Sequence, residues 1–121
     1  MIHLVAMNWR SIRLELSGTG EFPAGSVGRA YLIRLPLDDQ DIVDHAAFLE
    51  DPSKATVRRH WSTEPDQRGH IVPSGHEWAM LCDNKTERQL KLNGTPLRLG
   101  QQVCVTEPDG SVLPFRIASI R

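Results

Sequence analysis

Alternation of apolar and polar side chains dominates this chain, and it predicts strands. Between Trp9 and Ser17, Ile12, Leu14 and Leu16 share one face while Arg13 and Glu15 share the other. That period of two belongs to a half-buried strand. From Arg29 to Leu37, Tyr31, Ile33, Leu35 and Leu37 fall together, opposed by Ala30, Leu32 and Arg34. Pro36 has no N–H to give a ladder, which predicts an edge or a bulge there. An unpaired edge at that point is also a route to dimerisation.

Ala55 to Trp61 repeats the pattern, with Val57 and Trp61 on one face, Arg59 between them, and Arg58 and His60 opposite. Gly69 to Val72 and His76 to Cys82 follow, joined through Pro73-Ser74-Gly75. Trp78, Met80 and Cys82 share a face of the second run; apolar Ala79 and Leu81 behind them point to burial on both sides or to closure of a barrel. Arg88 to Leu92 is a brief strand ahead of Asn93-Gly94, a strong turn signal.

The segment 97–117 reads as a hairpin around which the rest of the chain is organised. Leu99, Val103 and Val105 face Leu113, Phe115 and Ile117, and Pro108-Asp109-Gly110 supplies the turn. Proline presets φ, aspartate bonds back to its own backbone, and glycine takes the left-handed position. A single segment looks helical: Asp41 or Asp44 as cap, Ala46 to Leu49 as body, Pro52 as stop, with Phe48 and Leu49 as its core contacts. About eight short strands, one short helix and no crossover helices give a mainly β fold, a small antiparallel barrel or sandwich. The 121 residues form one domain, 1–121.

Composition changes this picture little. Hydrophobic residues make up 40% and charged residues 24%, so the chain has enough apolar surface for a core. The net charge is −1, so any attraction to nucleic acid or anionic membrane has to come from a local patch. Met1 to Met7 is apolar but too short to span a bilayer, and it lacks the features of a secretory leader. A cytoplasmic location without membrane association is the expectation, and Met7 is an alternative start. Cys82 and Cys104 sit in apolar runs and read as two buried free thiols rather than a disulfide or a metal pair.

Candidate chemistry is sparse. The glycine-rich stretch from Gly18 to Gly28 lacks the helix of a dinucleotide fingerprint and the lysine of a phosphate loop, and reads as a flexible connection. Asp38, Asp39, Asp41 and Asp44 lack calcium-loop spacing and read as a solvated loop with a helix cap. Ser11, Ser17 and Ser119 have no nucleophile-elbow flanks. No catalytic residue, metal ligand or cofactor motif is assigned.

One group stands out. Arg58, Arg59, His60, Arg68 and His70, with Trp61 among them, fall within one hairpin. Arginines beside an exposed tryptophan hold phosphate and stack bases in single-strand-binding barrels. The opposing reading puts Trp61 in the core, as its parity with Val57 implies, and pairs the arginines with Glu50, Glu64 or Asp66.

In Arg29 to Leu37, Ala55 to Trp61 and the closing hairpin, the chain resembles a group of short bacterial proteins without an established activity. The likeness covers most of the chain and implies no function. Leu92 to Leu97 is similar to a turn of the forkhead-associated phosphopeptide-binding sandwich. The arginine and the Ser-x-x-His motif that this family needs upstream are not found, so phosphothreonine recognition is not carried over. The expectation is a small non-catalytic binding or accessory module, with a protein ahead of a nucleic acid as its partner, whose identity is not written in the sequence. Two alternatives accompany it: a nucleic-acid-binding barrel using Arg58, Arg59 and Arg68, and a metal-assisted enzyme using His60, His70 and His76.

Overall fold

The computed structural model describes residues 8–83 and 85–121. His3, the apolar N-terminal stretch and Asn84 in the turn after Cys82 lie outside the described residues. The strands are β1 (Trp9–Leu16), β2 (Ser26–Pro36), β3 (Thr56–Trp61), β4 (Gln67–Ser74), β5 (Glu77–Cys82), β6 (Glu87–Leu90), β7 (Gln102–Thr106) and β8 (Val112–Ile120). Each pairs antiparallel with the next, and β8 returns to β1, so the sheet is a closed barrel. Closure distinguishes it from a sandwich.

The alternation read from the sequence decides what fills the barrel. Ile12, Leu14, Tyr31, Ile33, Leu35, Ile71, Trp78, Met80, Leu90, Val105, Phe115 and Ile117 are all buried. Each fully buried large side chain contributes about 1.5–3 kcal/mol. Tyr31, Trp61 and Phe115 meet edge-on or tilted in one half of the interior, with ring centroids 5.1 to 6.3 Å apart.

The two ends differ. One is closed by the β2–β3 connection, which carries α1 (His45–Glu50) and a 3₁₀ turn at Pro52–Lys54. Asp44 caps α1, its Oδ1 accepting from Ala47 N at 3.0 Å. Phe48 plugs this end edge-on against Trp78, 4.9 Å between centroids. Leu49, expected beside it, is 68% exposed, because a helix this short turns only one large side chain toward the barrel. The other end is bordered by the β1–β2, β3–β4, β5–β6 and β7–β8 connections.

Several expectations shift. Closure leaves no strand without two neighbours, so the edge expected at Pro36 is not a free one. The stretch of β2 after Ile33 lacks a β3 partner, and there Pro36 pairs with Trp9 while its carbonyl accepts from Asp44 N at 2.9 Å. β4 runs through Pro73 to Ser74, so the turn falls at Gly75, with φ of 60°. β7 begins only at Gln102, and Leu99 is 69% exposed; Gly100, at φ of 83°, breaks the alternation between them. The turn at 108–110 forms as expected: Asp109 Oδ1 accepts from Ser111 N at 2.9 Å, and Gly110 has φ of 88°. Cys82 points inward and is buried, whereas Cys104 alternates outward between buried Val103 and Val105 and is half-buried. β6 separates their strands, so the two thiols do not meet. No helix among the described residues is long and apolar enough to cross a membrane.

Candidate functional site

The β3–β4 hairpin forms where the basic cluster was read, but pleating splits the cluster between two faces. Val57, Arg59 and Trp61 point inward; Arg58 and His60 point outward, as do Arg68 and His70 on β4. Arg59 is therefore not part of the outer surface. It is 7% exposed, bonds Glu64 through Nη1 at 3.2 Å, and lays its guanidinium over Trp61 at 3.8 Å. Trp61 is core, as its parity implied. The base-stacking version of the nucleic-acid reading loses its aromatic platform here.

What remains outside is a basic face wider than the hairpin. Arg13, Leu32, Arg58 and Arg68 stand in one cross-strand row over β1, β2, β3 and β4. Strands are about 4.8 Å apart, so these side chains are near neighbours. Ser11 pairs with Arg34, and Thr56 with His70, in the row beside it. Ser11, Leu32, Arg34, Thr56, Arg58, Arg68, His70 and Asp83 help line a shallow groove of about 530 Å³. Arg34, Arg13 and Ser11 were missed from the sequence cluster. Only the β1–β2–β3 order brings them to the hairpin, although the parity of Arg34 against Tyr31 already placed it outward.

Few carboxylates answer this charge. Arg13 Nε is held by Glu15 at 2.7 Å. Arg58 Nε lies 3.6 Å from Asp66, beyond a hydrogen bond. Asp66 belongs more closely to His60, whose Nδ1 is 3.0 Å away. That hydrogen bond is the main reason the Asp66 carboxyl is held below its usual range, with Arg58 and Arg68 adding smaller effects. Arg34 donates to Ser11 Oγ at 3.1 Å. Among the described residues neither Arg34 nor Arg68 has a carboxylate within ion-pair distance. Arg58 and Arg68 are directly opposed, and like charges so placed destabilise a sheet.

No protein-family model, curated protein or solved structure matches this chain.

The histidines of the metal alternative do not converge. His70 sits opposite Thr56, four residues from His60, a separation of about 13 Å along a strand. His76 lies in the turn at the plugged end. Among the described residues no group of three or more His, Cys, Asp or Glu is placed to hold a metal ion.

A second polar group, unforeseen from sequence, lies inside the barrel near its unplugged end. Arg88, 6% exposed, bonds Glu107 Oε2 through Nε at 2.9 Å and Thr86 through Nη1 at 2.8 Å. The Tyr31 hydroxyl donates to the same Glu107 oxygen at 3.2 Å. Burial first, and the Glu107 carboxylate second, push the Tyr31 pKa above its ordinary value, so the phenol keeps its proton and remains a donor. Burial likewise pushes up the Cys82 thiol, which makes it a poor nucleophile.

Proposed function

We propose that this protein is a small non-catalytic binding module that holds the phosphate backbone of a nucleic acid on the outer face of β1–β4. The observation that carries the reading is the directly opposed pair Arg58 and Arg68, with Arg34 beside them; Asp83 shares the groove, but among the described residues only Asp66 comes within ion-pair distance of any of the three. Folding gains nothing from gathering these charges on one side of a chain with a net charge of −1. A phosphate chain laid along the groove would give each guanidinium a bidentate partner. Leu32, between Arg13 and Arg58, offers an apolar contact for sugar rather than a base-reading donor. Buried Trp61 leaves this face without a stacking platform, so contacts go to the backbone and little sequence preference is expected.

The test is fluorescence anisotropy of a labelled single-stranded oligonucleotide at low ionic strength. The wild-type protein should bind, and Arg34→Gln/Arg68→Gln should bind at least tenfold more weakly with an unchanged circular-dichroism spectrum. Absence of wild-type binding, or equal binding by the folded double variant, would overturn the proposal. A duplex of the same length and vesicles of anionic lipid complete the series. Tighter binding to vesicles than to either nucleic acid would reassign the face to membrane headgroups and also reject it.

A further inference from the structure

We infer that the unplugged mouth of the barrel is a separate binding site for a small molecule with an apolar body and a single carboxylate. Eight-stranded barrels have interiors just wide enough for side chains or for one small ligand, and ligand pockets favour barrel mouths. Here the mouth encloses about 380 Å³, which lies in the range of small-molecule sites. Leu16, Phe22, Trp61 and Leu113 give it an apolar wall, most of it continuous with the core.

The charged lining groups set the ligand's chemistry. Glu107 is already neutralised by Arg88 and bonded by Tyr31. Asp109 is satisfied by the Ser111 amide and hydroxyl, at 2.9 and 2.7 Å. Arg29 differs from both. Its guanidinium lies over Phe22 at 4.5 Å and within 5.7 Å of the Trp61 ring, yet among the described residues no hydrogen bond or ion pair holds its N–H groups. The two rings flank the guanidinium without bonding its N–H groups, which stay available to an acceptor. A carboxylate fits that fork bidentately, and an alkyl or aryl body attached to it would lie along the apolar wall. Glu21, the remaining charged lining residue, is exposed at the rim, where solvent screens it, so Arg29 is left as the one cation of the lining and accommodates a single anionic group.

The experiment is calorimetric titration of the whole protein with octanoate, octanamide and octylammonium, with amide chemical shifts recorded alongside. Octanoate should bind saturably, about tenfold or more tighter than octanamide, and octylammonium should not compete. The shifts should centre on Leu16, Phe22, Arg29 and Leu113. Arg29→Gln should abolish the preference for carboxylate over amide while leaving oligonucleotide binding intact, which separates this site from the outer face. The three-ligand comparison on the wild type decides the matter even if Arg29→Gln does not fold. Equal affinity for octanoate and octanamide, tighter binding of octylammonium, absence of saturable binding at millimolar ligand, or shifts centred elsewhere would each overturn the inference.

Discussion

Replacing Glu107 with leucine should cost more stability than any other single change in the barrel's polar interior. Among the described residues Glu107 is the only carboxylate bonded to Arg88, whose side chain is 7% exposed, and Tyr31 donates to the same oxygen. Glu107→Leu strands a buried cation, which costs about 3 kcal/mol. It also leaves the Tyr31 hydroxyl without an acceptor, at about 1 kcal/mol more. The expected loss of about 4 kcal/mol corresponds to a fall in melting temperature of roughly 16 °C for a domain of this length. Urea denaturation of a graded series measures it. Arg88→Met/Glu107→Leu should recover most of the loss, because a methionine in place of the cation has nothing to pair. Adding Tyr31→Phe should bring the protein to within about 1 kcal/mol of the wild type, since apolar replacement of a buried polar group and its partners is often neutral. A loss below 1 kcal/mol for Glu107→Leu, or a double variant no more stable than the single, would refute this account of the interior.

Three further measurements probe other parts of the barrel. Phe48→Ala should lose about 3–5 kcal/mol by opening a cavity against Trp78, and Leu49→Ala less than about 0.5, in thermal melts of the two variants. Asp66 should titrate below the ordinary carboxylate range in carbon-detected NMR, and His60→Gln should move it back up. Because its folded pKa is depressed, its contribution to stability is present above about pH 4 and is lost as pH falls through the lowered value. Cys104 should react with a disulfide reagent at pH 8 well before Cys82, since burial both shields the Cys82 thiol and raises its pKa. Equal rates would contradict the inward placement of Cys82.

Much of the barrel was legible because burial on one face imposes period two. Ile12, Leu14 and Leu16, or Phe115 and Ile117, show their orientation without any partner in view. The pattern misled where it ran past a strand's end. Leu99 keeps phase with Val103, but Gly100 turns the chain between them. The candidate site was half legible. Arg58, His60, Arg68 and His70 do share an outer face, whereas Arg59 was grouped with them by proximity although its parity with Val57 and Trp61 sent it inside. A buried arginine is recognised through its partner, and Glu107, the partner of Arg88, comes from another hairpin. Arg34 joins Arg58 and Arg68 only through the order of neighbouring strands, which periodicity does not encode.

The salt dependence of oligonucleotide binding tests the central claim most directly. Three arginines engaging phosphates on a single strand predict a slope of about −2 for log K against log salt, and Arg34→Gln/Arg68→Gln should flatten it to about −0.7. A slope near zero for the wild type, or the same slope in both proteins, would mean that the outer face of β1–β4 does not hold phosphate.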